Sequence, residues 1–82
     1  MSKFSHTDYQ ANPGKYRLFN TAVVASHIFT NNGENDIESG TVVGIEFMRD
    51  AFNAMYRRTE PVYSIKGFGR HLYANCLADF VL

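Results

Sequence analysis

The chain holds three imidazoles, His6, His27 and His71, and one thiol, Cys76. A catalytic reading needs two such groups within hydrogen-bond reach, one acting as base or nucleophile on the other. Cys76 and His71 are the one thinkable nucleophile pair, and five residues apart is poor spacing on a helix. Cys76, between Asn75 and Leu77, reads as a small buried packing residue. His6 falls in a polar stretch. His27 falls in an apolar one, where an imidazole is more often a hydrogen-bonded edge or core residue. No two histidines have helical ligand spacing, and no carboxylate cluster completes a metal set. Gly67-Phe68-Gly69-Arg70 has too few glycines for a phosphate loop and no Lys-Ser/Thr after it. The expectation is no catalytic set, no metal and no cofactor.

Binding chemistry is better represented. Basic residues alternate with rings in Tyr56, Arg57, Arg58, Tyr63, Lys66, Phe68, Arg70 and Tyr73. Such interleaving can stack bases and hold phosphates, or it can mark core rings with solvated charges between them. A ring between two glycines, as at Phe68, is expected at an exposed turn tip. Residues 57–70 hold Arg57, Arg58, Lys66 and Arg70 against Glu60, a local charge of +3. Residues 34–50 hold Glu34, Asp36, Glu38, Glu46 and Asp50 against Arg49, a local charge of −4. These are either two solvated faces or a docking surface of two signs. Formal net charge is zero. That disfavours a non-specific nucleic-acid binder, which needs surplus cations, and a strongly acidic nucleic-acid mimic.

These residues need elements to position them. Eighty-two residues, 45% apolar and 20% charged, suit one small globular domain. Its core is expected to draw on seven Phe and five Tyr. One cysteine and the polar start MSKFSHTDYQ point to a cytoplasmic protein without a secretory leader. The apolar runs are too short to span a membrane. Residues 1–14 read as a polar N-terminal arm closed by Asn12-Pro13-Gly14, with Phe4 and Tyr9 able to pin it. Residues 15–82 then form the domain.

Tyr16–Phe19 and Thr21–Phe29 have strand composition, and Asn31-Asn32-Gly33 is a turn signal. In Thr41–Phe47, Val43, Ile45 and Phe47 share one face. Gly44, on the other face, suggests a bend or a close backbone approach. Residues 46–58 stay open: Ile45, Met48, Phe52, Met55 and Tyr56 fall at helical spacing, which would make the domain α+β. Pro61 ends any such helix. Residues 62–66 alternate again, and Gly67–Gly69 is a turn. The tail from Leu72 reads as one helical turn and a closing strand, or as a helix.

Two stretches resemble the Src-homology-3 (SH3-like) pattern. Ala25–Phe29, followed by Asn31-Asn32-Gly33-Glu34 and Asp36–Val43, is similar to that family's first strand, acidic loop and lead into its second strand. Leu72-Tyr73-Ala74-Asn75-Cys76-Leu77 resembles the signature before its last strand. The resemblance covers about residues 22–81 and implies a small β-barrel. His27 and Cys76 stand where peptide-groove tyrosines would, Tyr73 stands at a proline position, and the chain has no Trp. What the resemblance implies is therefore the barrel and not recognition of proline-rich segments.

The expected fold is mainly β, a small SH3-like barrel with a polar arm. The expected function is a non-enzymatic protein–protein interaction module, an adaptor or an inhibitor of a larger host machine. Its contact residues would be Tyr56, Arg57, Arg58, Phe68 and Arg70, with Glu34, Asp36 and Glu38 as a second rim. The rival is a barrel that binds nucleic acid through residues 56–73. An exposed edge strand would also allow a homodimer.

Overall fold

A computed structural model of the chain describes residues 2–29 and 36–82. The Asn31-Asn32-Gly33 turn signal and Glu34 lie outside the described residues. The fold is mainly β: β1 (Thr21–Val24), β2 (Val42–Asn53), β3 (Arg58–Ile65), β4 (Arg70–Tyr73) and β5 (Leu77–Val81), with one short helix, α1 (His6–Ala11). The strands form one antiparallel sheet in the order β4-β3-β2-β1-β5. Among the described residues no helix is long and apolar enough to cross a membrane.

The helix weighed for residues 46–58 is absent; this stretch is the end of β2, a turn and the start of β3. Val43, Ile45 and Phe47 do share the inner face. A bulge between Phe47 and Arg49 then shifts the register by one, which breaks the two-residue period. The apolar residues beyond it fall three or four apart without a helix. Phe52, Met55 and Tyr56, which a helical face would have buried, are exposed.

The tail follows the turn-and-strand reading, with a single 3-10 turn at Ala74–Cys76 before β5. That turn carries the chain directly from one edge strand to the other. β4 and β5 do not pair, so the expected closed barrel is an open five-stranded sheet instead. Its core is Ala22, Val24, Ile37, Val43, Ile45, Tyr63, Ile65, Leu72, Ala74 and Leu77.

β1 is shorter than its composition suggested and stops at Val24. Tyr16–Phe19 is no strand: Pro13 opens a 3-10 helix over Pro13–Arg17, which buries the Tyr16 ring. Proline at the first position lacks only an N–H that the helix start leaves unused.

The N-terminal stretch is folded against the sheet. Lys3 bridges to Ala78 on the outer edge of β5, and the Asp79 N–H donates to the Ser2 carbonyl at 2.9 Å. An edge strand covered in this way is a poorer template for another chain. Ser5 caps α1 by accepting the Asp8 N–H at 3.2 Å. Phe4, Tyr16, Phe19 and Phe80 form a chain of ring contacts with centroids 5.2–6.4 Å apart. The hydroxyl of Tyr63, a buried residue of β3, donates to the Tyr16 carbonyl. Gly44 does sit under a close neighbour, but that neighbour is the Lys66 side chain: a Cβ at residue 44 would lie 3.2 Å from the Lys66 Cδ.

Candidate functional site

The expected contact residues divide into two groups at opposite ends of β3. Tyr56, Arg57 and Arg58 lie where β3 begins, and Phe68 and Arg70 lie beyond its end. Roughly 20 Å of strand separates them, at about 3.3 Å per residue. The basic and aromatic residues of this segment therefore do not make one surface.

At the first end, the β2–β3 turn is shaped by Asn53. Its side-chain oxygen accepts the Met55 N–H at 3.1 Å, and its carbonyl accepts the Tyr56 N–H at 3.2 Å. Arg57 closes the turn with φ +52°, the left-handed conformation. Around this turn three large apolar side chains face solvent: Met55 is 82% exposed, Phe52 61% and Tyr56 46%. The Arg58 guanidinium lies 5.4 Å from the Tyr56 ring centroid and 6.0 Å from that of Phe4, within cation–π range.

Arg58 is held from behind. Its Nε donates to Glu60 Oε2 at 3.1 Å, and Glu60 is fully buried. The other oxygen, Oε1, accepts the Asn75 N–H at 3.1 Å, at the 3-10 turn before β5. Burying a carboxylate is costly unless such partners meet it. The Glu60 carboxylate thus fixes Arg58 and the closing turn together.

Between these parts runs a cleft of about 240 Å³, lined by Lys3, Phe4, Ala25, Ser26, Tyr56 and Asn75. Among the described residues no carboxylate lines it. Among the described residues neither Lys3 nor Arg57 is in an ion pair. Compared with protein-family models, curated proteins and solved structures, the chain matches none. The site is therefore read from its own geometry.

At the other end of β3 the Phe68 ring is not the exposed tip its flanking glycines suggested. It is half-buried and packs on the core. Arg70 turns toward the β1–β2 connection, its Nη1 3.5 Å from the Phe29 carbonyl, and its buried Nε has no partner among the described residues. Phe29 stacks flat on His27, with centroids 4.2 Å apart and planes 9° apart. The His27 Nε2 lies 3.5 Å from Asp36 Oδ2. His27 is thus an exposed loop residue beyond β1 and not a strand residue. Arg70 and Asp36 are brought to one loop, while Glu38 is exposed further along it.

A larger open groove of about 590 Å³ lies between the N-terminal segment and β5, walled by Phe4, Tyr16, Phe19 and Phe80. Lys15 pairs with Asp8 at 2.6 Å and Asp79 Oδ1 accepts the Ser2 N–H, while Lys3, which lines this groove as well as the cleft, is in no ion pair among the described residues. The tyrosines here are structural. Tyr9 donates to Asp50 and Tyr16 to Asp8, each at 2.6 Å. Burial, and next the Asp50 bond, pushes the Tyr9 phenol up to about 12. Burial, then Asp8, raises Tyr16 as well.

Burial raises the Cys76 thiol too, with the Glu60 carboxylate adding to it. A thiol held in its neutral form is a poor nucleophile. His71 is exposed on β4. Among the described residues no group of three or more His, Cys, Asp or Glu side chains is placed to hold a metal ion.

Lys3, Phe52 and Met55 were not legible as site residues. Lys3 sits in a polar stretch with nothing to mark it. Phe52 and Met55 carried a misleading helical period.

Proposed function

We propose that this chain is a non-enzymatic protein-interaction module that docks through the β2–β3 turn and the cleft beside it. The observation that carries this reading is the solvent exposure of Phe52, Met55 and Tyr56 around one turn. Scattered apolar side chains need no explanation on a surface, but bulky ones grouped beside a cleft are a common mark of a contact site. Tyr and Arg are also the residue types that most often dominate such contacts, and Tyr56 is stacked on Arg58 here.

The long connection after β1 and the compact turn before β5 support a Src-homology-3-type reading of the architecture. The single cysteine suits a cytoplasmic setting. A small module of this kind would serve as an adaptor or as an inhibitor of a larger assembly. Asp36 and Glu38 lie in the β1–β2 connection and Arg70, on β4, turns toward it, so the primary contact is Tyr56, Arg57 and Arg58 with Phe52 and Met55.

Crosslinked affinity capture from the source cell, with the intact chain and two variants, tests the reading. F52S/M55S/Y56S removes the exposed apolar groups of the turn. L18S removes a comparably exposed side chain elsewhere. Specific partners lost with the first variant and retained with the second are the expected result. Equal capture by all three, with each variant folded by circular dichroism, would refute the docking surface.

A further inference from the structure

Building on the docking surface just proposed, we infer that the cleft takes an acidic linear peptide segment carrying one bulky apolar side chain. Three features of the cleft point to this occupant.

Size comes first. At about 240 Å³ the cleft lies below the roughly 300–1,000 Å³ of sites that enclose a whole small ligand. It suits a single large side chain of a longer chain. Its apolar walls are the Phe4 and Tyr56 rings and the Ala25 methyl, and Ser26 and Asn75 add polar side chains that can meet a peptide backbone.

Charge comes second. The cleft has Lys3 in its wall. Arg58 borders it through its contacts with both rings, and Arg57 stands between Tyr56 and Arg58 in the turn. Among the described residues the one carboxylate bonded to this group, Glu60, is fully buried and already committed to Arg58 and the Asn75 N–H. Lys3 and Arg57 keep their charges uncompensated among the described residues. A rim with surplus positive charge around a mixed slot, where the Phe4 and Tyr56 rings sit among polar groups, is complementary to carboxylates flanking an apolar side chain.

The third feature separates a peptide from a nucleic acid. A nucleic-acid strand needs cations that follow its backbone. Here the basic groups stop at the cleft. Lys66 and Arg70 lie beyond the far end of β3, and Arg70 is turned to the Phe29 carbonyl. The chain as a whole carries no net charge.

Backbone-amide NMR titration of the isotope-labelled full chain tests the proposal with three probes. One is a capped hexapeptide of Glu and Asp around a single Phe. The second is the same peptide with Gln and Asn in place of the acids. The third is a short oligothymidylate.

The expected result is saturable shifts at Ser26, Tyr56, Arg57 and Asn75 with the acidic peptide. Binding should weaken roughly tenfold with the neutral peptide, and by a similar factor in K3E/R57E, from two exposed charge contacts. Both substituted side chains are exposed, and an unchanged spectrum elsewhere shows that the variant is folded. Equal binding of the neutral peptide overturns the acidic occupant and leaves the docking surface standing. Shifts from both peptides confined to the Phe29 and Arg70 loop, or no shifts from either, overturn both. Shifts at the same amides with the oligonucleotide and none with the peptides also overturn both, in favour of nucleic acid.

Discussion

Glu60 and Asn75 are joined across the interior: the fully buried Glu60 carboxylate accepts the Asn75 N–H at 3.1 Å while its second oxygen holds Arg58. Truncation to alanine would leave a buried amide without an acceptor and a cation without its counter-charge. Arg58 is about one-third exposed, so water partly replaces its lost partner. The expected cost of Glu60→Ala is about 2–4 kcal/mol, measured by urea unfolding. Glu60→Gln keeps an acceptor for Asn75 but loses the ion pair, and should fall between the two. A loss below about 0.5 kcal/mol for the alanine variant would show that the clamp does not hold the turn.

The tyrosines give the fold an alkaline limit. Tyr9, ordinarily near 10.0, is raised to about 12 by burial and by Asp50. Burial raises Tyr16 and Tyr63 further. A group whose acidity is weakened by folding stabilises the fold in full below its ordinary value, and this contribution disappears as pH climbs through its raised value. Stability should therefore be level up to about pH 10 on this account and fall as pH rises toward 12 and beyond. Asp8 acts with the opposite sign. Lys15, and next the Tyr16 hydroxyl, hold its carboxyl below the ordinary 3.8, so its contribution is present above that value and lost as pH falls below it. Thermal melts across pH, with ultraviolet titration of the phenols, check both. Five phenols titrating together near pH 10 in the folded chain would contradict the assignment.

The mainly-β class was legible because its signals are local. Alternation in Val43, Ile45 and Phe47 requires only the pleat of one strand, and Gly67 and Gly69 mark their turn through positive φ, +86° and +62°. The β2–β3 turn was not legible, because the bulge beside Met48 turns a strand pattern into an apparent helical one. Edge closure is a tertiary property, and no local pattern in β4 or β5 reports whether they pair. The site was half legible. Tyr56, Arg57 and Arg58 stand out by type, but the cleft needs Lys3, some fifty residues away, and Ala25 and Asn75 from two further segments. Phe68 misled because flanking glycines predict backbone freedom and do not predict where a ring packs.

Among the described residues two other than glycine take positive φ, Arg57 at +52° and Asp79 at +49°. Each pays for a left-handed backbone, which costs an L-residue roughly 1 kcal/mol. Arg57→Gly should therefore stabilise the chain by up to about 1 kcal/mol, reduced by the greater freedom glycine gains when unfolded. Asp79→Gly relieves the same conformation but loses the acceptor for the Ser2 N–H, and should gain less or be destabilising. Denaturant midpoints of the two variants decide it. A more stable Asp79→Gly than Arg57→Gly would show that the Ser2 contact contributes nothing.

Phe4 joins the N-terminal segment to the sheet through ring contacts to Tyr9, Tyr16 and Phe80. The ring is half-buried, so Phe4→Ala should cost about 2 kcal/mol, less than the 3–5 of a fully buried ring. The loss should also be visible at two distant readouts. Tyr16 would be less buried, and its phenol would titrate closer to the ordinary range. The outer edge of β5 would be less firmly covered by Ser2 and Lys3, so amide exchange at Ala78 and Asp79 should quicken while exchange at Tyr63 and Ile65 holds. Uniform acceleration across the sheet would instead mean that the N-terminal segment and the strands unfold as one unit.

Cys76 tests the non-enzymatic reading directly. Burial and the neighbouring Glu60 carboxylate both disfavour its thiolate, and the side chain packs against the core. Reaction with a neutral disulfide reagent depends on thiolate and on access. At neutral pH the folded chain should therefore react at least about tenfold more slowly than the chain in denaturant. Glu60→Gln removes one of the two causes and leaves the packing, so it should raise the folded rate modestly. His71→Ala should leave the rate unchanged, because no hydrogen bond joins His71 to the thiol among the described residues. A rapid folded-state reaction that depends on His71 would mean that the two side chains act as a pair, and the case against catalysis would fail there.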